Sequence, residues 1–404
     1  MAGRPTLYAS VYSSRALSAT PTKGSWSGTA ATAAAVLASA AGFIAYLWVS
    51  RPRAIEELPG TMRQLFLQQG ALRMSEAQFS IAELPIFPPA RNQVLIKVEA
   101  AAVNPSDYGA CRAVGGEPRV VGNECSGTVV AVGGGISTIG LLGREVFCLA
   151  MSSGRGAYAE FACAEAGMTW TVPSGVAVED ACGFFVNPFT AYAILEEAKA
   201  RKQKYLIHTA AASVLGQMLA KASRIYGVTV VHIVRRQEQA ALLRDLGEKH
   251  VLVHKGGDME TDDPDFWAAL RKLIQDHSIS IAFDALAGAM PGLLSAALPP
   301  RSTVFVYGRL ASNFVDGLPA TDMIYEDKQV TGFLVMTSLA RRGAFAFSKA
   351  GRFVRRHFVD CFLPPSFQDV KLEDTAALLK KIDPHGAKPM GVTGRKWRVR
   401  PWAK

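Results

Sequence analysis

The sequence predicts an α/β fold in two parts, carried behind an N-terminal transmembrane helix. Three observations over its 404 residues carry that expectation. No charged residue stands between Lys23 and Arg51. From about 61 to 175, short apolar segments alternate with Pro, Gly, Asn and Asp clusters. Beyond 186, apolar strand-like runs alternate with amphipathic helical ones, the pattern of a parallel sheet covered on both faces.

The charge-free run reads GSWSGTAATAAAVLASAAGFIAYLWVS. About 20 apolar residues suffice to cross a hydrocarbon core. Trp26, Tyr46 and Trp48 lie near the ends of the run, where amphipathic rings favour the membrane interface. A membrane helix is therefore expected over 28–50, stopped by Arg51, Pro52 and Arg53. Residues 1–27 carry Arg4, Arg15 and Lys23 with several Ser and Thr, and the first acid of the chain is Glu56. That composition also suits an organellar presequence. The two readings are compatible, since a presequence can precede a stop-transfer helix. Lys and Arg flank both ends of the run, so orientation is not set by charge.

In the first half of the body, the segments TMRQLFL, FSIAEL, QVLIKVEAAAV, SGTVVAVG, REVFCLA and YAEFACA read as strands of a barrel-like domain. The period changes at PFTAYAILEEAKAR, a helix with Pro188 in its first turn. Five strands follow: KYLIHTA, VTVVHIV, HVLVH, SIAFDAL and STVFVYG. Helices are expected between them over 213–225, 237–246, 264–276 and 290–297. Residues 330–404 are mixed and are expected to rejoin the first domain.

The net charge of +10 owes much to the N-terminal end, where Arg4, Arg15, Lys23, Arg51 and Arg53 face no acid. No body segment forms a nucleic-acid stripe, so a nucleic-acid partner is not expected. The densest basic cluster is Arg352, Arg355, Arg356 and His357, read as a solvated helix face. Six cysteines occur without a Cys-x-x-Cys pair and without a histidine at ligand spacing. This argues against a disulfide framework or structural zinc and suits a reducing compartment.

The run LIHTAAASVLGQMLAKAS holds the chemistry. A buried strand, a small-residue turn and a helix start are where a dinucleotide diphosphate rests on a helix N-terminus. Ala211, Ser213 and Gly216 overlay the spacing of the glycine fingerprint. Gly216 takes the position that needs close helix–strand packing. Ala211 and Ser213 replace the two earlier glycines, which leaves open a fold that has lost its nucleotide. After the next strand stand Arg235 and Arg236, where an NAD site would place an acid. Arginine can pair a 2′-phosphate, which favours NADPH. Two solvated arginines opening a helix is the alternative.

These residues, with VLIKVEAAAVNPSDYG (94–109), VVGNECSGTVVAVG (120–133), VNPFTAYAIL (186–195) and VFVYG (304–308), resemble the medium-chain dehydrogenase/reductase superfamily. The look is that of its zinc-independent quinone oxidoreductase and mitochondrial 2-enoyl thioester reductase branch. The resemblance implies a GroES-like β-barrel domain, 58–185 with 330–404, and a Rossmann domain, 186–329, with the active site between them. It adds Tyr307 to the cofactor-contacting residues. It also implies no catalytic metal, because Asn104 and Asn123 stand where the zinc-dependent branch has Cys and His. The enoyl reductases place a tyrosine proton donor a few residues after Asn-Pro-Ser-Asp. Here Tyr108 follows that motif directly, and Gly332-Phe333-Leu334 lacks the tryptophan of the corresponding stretch.

Asn104, Tyr108, Asn187 and Thr190 are therefore the candidate cleft residues. Asn104 and Asn187 precede prolines and are equally read as turn-setting. Two functions follow. One is a membrane-anchored, NADPH-dependent reductase of a quinone or an enone or enoyl substrate. The other is a catalytically inactive, dehydrogenase-like accessory subunit of a mitochondrial membrane complex. Both put the chain at the mitochondrial inner membrane or another organellar membrane.

Overall fold

A computed structural model describes residues 51–403, other than 56, 72–73, 111–117, 257–258 and 383–393, together with Ser39, Ala40 and Gly42. Two units separate, Met1–Val49 and Ser50–Lys404. In the first, Ser39, Ala40 and Gly42 are helical. The membrane helix expected over 28–50 otherwise lies outside the described residues. Among the described residues no helix is long and apolar enough to cross a membrane.

The larger unit opens with β-structure. Its main sheet has eight strands, and the order along its path is Phe367–Lys371, Lys396–Arg400, Gln93–Ala102, Glu124–Val132, Glu145–Leu149, Thr169–Thr171. Phe161–Glu165 and the short Arg53–Ala54 pair on from Gln93–Ala102 and Glu124–Val132 respectively. A three-stranded sheet of Gln78–Pro85, Thr61–Gln69 and Arg119–Val120 closes beside it. The two central strands pair with register shifts between Leu95 and Ile96 and between Val98 and Ala100. Such bulges bend a strand and sharpen its twist, which a closing sheet needs. Gly127 serves the same end, because a Cβ there would lie 2.0 Å from the Lys97 carbonyl oxygen.

The second part is a six-stranded sheet, every neighbouring pair parallel. Its order is Val251–Val253, Thr229–Val234, Tyr205–His208, Ile281–Asp284, Thr303–Val306, Gln329–Gly332. Strand order reverses between Tyr205–His208 and Ile281–Asp284, the switch point at whose carboxyl ends such sheets bind ligands. The helices lie close to their expected bounds: Val214–Tyr226, Gln237–Asp245, Pro264–His277 and Met290–Ala297. Ser213 caps the first of these and Gly227, left-handed with φ 66°, ends it.

One expected boundary moves. Position 330 falls inside Gln329–Gly332, the last strand of the parallel sheet. The chain rejoins the barrel sheet only at Phe367–Lys371 and Lys396–Arg400, the latter pairing antiparallel with Gln93–Ala102. The strand QVTG is short and mostly exposed, so it carries no apolar run by which to recognise it.

An aromatic seam ties barrel to helix. Trp170 lies 5.1–5.8 Å from the rings of Phe147, Phe185 and Phe189, and Phe184 stacks on Phe358 at 4.1 Å. Buried residues from both parts form one continuous core there. This fixes Val186–Ala200, the helix that faces the cleft.

The close strand approach at Gly127 gives a stability test. Gly127→Ala must push back the Lys97 carbonyl and should cost about 1–3 kcal/mol. Gly60→Ala, where a Cβ meets nothing within 4 Å, should leave the thermal unfolding midpoint nearly unchanged.

Candidate active site

A cavity of about 730 Å³ opens where barrel, cleft helix and parallel sheet meet. Leu149, Met151, Phe185, Phe333 and Leu334 make it largely apolar, and Asn123, Asn187, Ser213 and Tyr307 supply polar groups. An apolar cleft with few placed polar groups is the usual form of a small-molecule site.

The sheet side is built on the Thr209–Ser213 turn. Ser213 closes it as helix cap, its Oγ accepting from Gly216 N at 3.1 Å. The next amides, of Val214 and Leu215, have no intrahelical acceptor by helix geometry, and Leu215 lines the cleft. A Cβ on Gly216 would sit 2.1 Å from the Ala211 carbonyl oxygen, so this position admits only glycine. Ala211 is fully buried and packs with Ala212, Val234 and Ala240. Its methyl group therefore does not narrow the cleft. The Ser213 hydroxyl bends back to its own helix and still has a proton to donate. The turn thus fits a dinucleotide diphosphate despite its two lost glycines.

Asp284, ending the strand across the switch point, pins this turn. It accepts from the Thr209 hydroxyl at 2.7 Å, Leu286 N at 3.1 Å and Ala287 N at 2.7 Å. Burial pushes its carboxyl up to about 6. Beside it, His208 Nε2 and the Tyr307 hydroxyl share a 2.7 Å hydrogen bond. Burial pushes the His208 imidazole down to about 3, so it is neutral, and raises the Tyr307 phenol, which stays protonated.

The barrel side rests on a buried charge network. Lys396, from the C-terminal strand, donates its Nζ proton to Asn104 Oδ1. The Asn104 amide donates to Glu124 Oε1 at 2.7 Å. Glu124 Oε2 accepts the amides of Phe185 and Val186, at 2.7 and 2.9 Å, where the cleft helix begins. Asp107 accepts from Asn104 N, Asn123 N and the Tyr158 hydroxyl. Asn123 also donates from Nδ2 to Ser106 Oγ at 2.8 Å. Burial pushes the Glu124 carboxyl up and the Lys396 ammonium down, and their mutual attraction opposes both shifts.

The structure brings Asn187, Thr190, Ser213 and Tyr307 to the cleft wall. Ala211 and Gly216 stand behind it in the turn. Asn187 lies in the helix Val186–Ala200 and not in a turn before it. Its side-chain amide makes no hydrogen bond among the described residues and is free for a ligand. The Thr190 hydroxyl donates to Val186 O at 2.6 Å, which commits its proton. Asn104 is a correction: it is fully buried behind the wall, its oxygen and nitrogen taken by Lys396 and Glu124. Tyr108 is in the helix Pro105–Ala110, and its side chain lies outside the described residues. Arg235 and Arg236 follow the strand Thr229–Val234, exposed and outside the cleft wall. Arg236 pairs with the exposed Glu238 at 3.9 Å.

Zinc does not fit here. Of positions 104, 123 and 124 only Glu124 could ligate as a charged group. An ammonium already occupies its neighbourhood, and both asparagine amides are turned to other partners. Lys396, His208 and Asp284 were not singled out from sequence. Asp284 left a usable signal, a lone acid ending an apolar strand at a strand–helix junction. Lys396 left none, because its partners stand at 104 and 124.

Comparison with known proteins agrees with this geometry. Residues 90–174 match the family described as alcohol dehydrogenase GroES-like domain, and residues 214–350 the one described as zinc-binding dehydrogenase. The mitochondrial enoyl-acyl-carrier-protein reductase of Caenorhabditis elegans is 26% identical over 254 residues, 61% of this chain and 69% of that protein. The quinone oxidoreductase of Rattus norvegicus is 31% identical over 173 residues, 41% of this chain and 51% of that protein. A crystal structure described as an NADPH:quinone reductase from Mesorhizobium loti is 29% identical, covers 86% of this chain and all of that one, and superposes with a TM-score of 0.71. The chain belongs to the medium-chain dehydrogenase/reductase superfamily, in its zinc-independent branch.

Two outcomes test the site's interior. Lys396→Met strands a buried carboxylate and should cost about 3–5 kcal/mol, as removal of one partner of a buried pair does. Adding Glu124→Gln should recover much of that loss, and denaturant titration of both variants measures it. His208 predicts a pH effect. Its folded pKa lies below its ordinary 6.5, so the unfolded chain takes up the proton first. Stability should therefore fall as pH drops from 6.5 toward about 3, and His208→Asn should flatten that slope.

Proposed function

We propose that this protein is an NADPH-dependent oxidoreductase reducing a quinone or an enone or enoyl substrate in the cleft. The observation that carries the reading is the capped helix start at Ser213. Its free amides open onto an apolar cavity beside the unengaged amide of Asn187. The relatives support it, since their names describe enoyl-acyl-carrier-protein reductases and quinone oxidoreductases, and the 29% identical structure is described as an NADPH:quinone reductase.

When bound, the nicotinamide supplies a hydride, and the chain supplies orientation and a dry cleft. Ser213, Val214 and Leu215 would hold the diphosphate, and Gly216 lets the helix lie close enough to do so. Arg235 and Arg236 would pair the 2′-phosphate. Tyr307, fixed by His208, would bear on the cofactor. Asn187 would donate to a substrate carbonyl oxygen, favouring the charge that develops there. Buried Leu149 and Phe185, with the exposed side chains of Met151 and Leu334 at the mouth, would suit a hydrophobic substrate. Zinc has no part in this reading.

Location belongs to the same proposal. The apolar run before Arg51 would anchor the protein in the mitochondrial inner membrane, close to lipid-soluble substrates and to subunits of membrane complexes. The acid-free N-terminus and the mitochondrial relatives support that. Alkaline carbonate extraction tests it: the mature protein should stay in the membrane pellet, and its full release would refute the anchor.

The cofactor reading has its own measurement. Replacing Arg235 and Arg236 by Ala should weaken NADPH binding about tenfold or more and leave NADH nearly unchanged, since charge-assisted pairs are worth about 1.5–3 kcal/mol. An equal loss for both nucleotides would remove the assignment. If neither binds the parent protein, the inactive accessory subunit becomes the better reading. Asn187→Ala should lower kcat/KM about tenfold at unchanged NADPH affinity, as loss of one hydrogen bond to a developing charge does.

A further inference from the structure

Away from the cleft, a groove of about 650 Å³ lies between the helix Ala346–Arg356, Tyr192 of the cleft helix and Tyr226 at the end of Val214–Tyr226. Lys349, Arg352, Arg355, Arg356 and His357 line one side. The floor is aromatic: Phe353 lies 5.2 Å from Tyr192 and 5.1 Å from Tyr226, ring centroid to centroid. Gly351 lets this helix lie down on the barrel, because a Cβ there would be 2.2 Å from the Trp170 indole nitrogen. The groove is therefore rigid at its base and cationic at its rim.

Two features are not explained by a solvated helix face. Arg352, Arg355 and Arg356 are exposed, and none pairs with a carboxylate among the described residues. Glu196 is already engaged by the Tyr226 hydroxyl at 3.0 Å and Lys349 at 3.5 Å. The helix dipole favours cations in the last turn, which accounts for Arg355 and Arg356 but not for Arg352 or Lys349. Like charges three and four positions apart repel along the same face. Second, Tyr192 lines the groove with a side chain only 1% exposed, and its buried hydroxyl makes no well-formed hydrogen bond among the described residues, its polar neighbours being only the Tyr226 hydroxyl and the Lys349 ammonium. A buried hydroxyl left unpaired is costly, and water or a ligand ordinarily satisfies it.

We propose that this groove is a binding site for a phosphate ester. The guanidinium groups would hold its oxygens, the Tyr192 hydroxyl would donate from below, and the aromatic floor would carry the apolar remainder. Guanidinium suits this ligand because its planar fork matches phosphate oxygens two at a time. The site is separate from the cleft and does not depend on the reading given for it. The phosphate could belong to a soluble ester or to a lipid headgroup, and the experiment separates these sources.

The full chain in mild detergent is titrated with inorganic triphosphate by calorimetry. It is also floated with vesicles of phosphatidylcholine alone and of phosphatidylcholine mixed with phosphatidylglycerol. Two variants are compared with the parent: the triple Arg352→Gln, Arg355→Gln, Arg356→Gln, and Tyr192→Phe, which removes one buried oxygen. Triphosphate binding, or the preference for anionic vesicles, should fall about tenfold or more in the triple variant, by the usual size of lost charge-assisted pairs. It should fall severalfold in Tyr192→Phe. NADPH affinity should not change in either. Binding of triphosphate marks a soluble ester, and discrimination among vesicles alone marks a headgroup. Parent protein that shows neither, or a triple variant equal to the parent in both assays, overturns the proposal.

Discussion

The rest of the site hangs on a lysine that never meets water. Lys396 arrives on the last strand of the chain, enters the barrel sheet beside Gln93–Ala102, and reaches Asn104 across the core. Asn104 passes the interaction to Glu124, and Glu124 holds the amides that begin the cleft helix. Three distant parts of the sequence are thereby locked to one wall. A buried charge pair is seldom a net source of stability against an apolar substitute, but it is strict about geometry, since losing either member strands the other. The position of Asn187 and Thr190 is the product of that strictness. In the zinc-dependent branch a metal cation would stand near positions 104, 123 and 124. Here an ammonium supplies positive charge to the same neighbourhood without an open coordination site, so Lewis-acid activation of a substrate is not available from it.

The opposite wall is held by neutral and singly charged groups at the switch point. Asp284 fastens the loop after its own strand to the Thr209 turn, and His208 fixes Tyr307. The first joins neighbouring strands far apart in sequence, and the second reaches from Tyr205–His208 past Ile281–Asp284 to the residue that follows Thr303–Val306. The two walls meet at the aromatic seam around Trp170, whose packing serves both the cleft helix and, through Gly351, the basic helix on the other side. Cleft and basic groove thus share one rigid spine while facing different directions.

The elements that carry local periodicity were legible in the sequence. Met290–Ala297 and Gln237–Asp245 lie within a residue of their expected bounds, because apolar spacing and helix stops are local signals. The turn was legible too, and Gly216 for the right reason, its close approach to Ala211. Ser213, Asn187, Thr190 and Tyr307 reached the cleft because they sit at or near the ends of regular elements, which point at a switch point by topology alone. Asn104 went elsewhere. Its place before a proline resembled a cleft residue, but a partner at 396 drew it into the core. Gln329–Gly332 was missed because an exposed edge strand of four residues needs no apolar pattern.

The central claim is that the Ser213 turn and the wall around Tyr307 hold a dinucleotide. Amide hydrogen exchange of the purified full chain, with and without saturating NADPH, tests it most directly. The account predicts slowed exchange concentrated at Ser213–Gln217 and at Tyr307–Leu310, with the barrel sheet unchanged. Exchange that NADPH leaves untouched at the turn, or slows only outside the cleft, would contradict it.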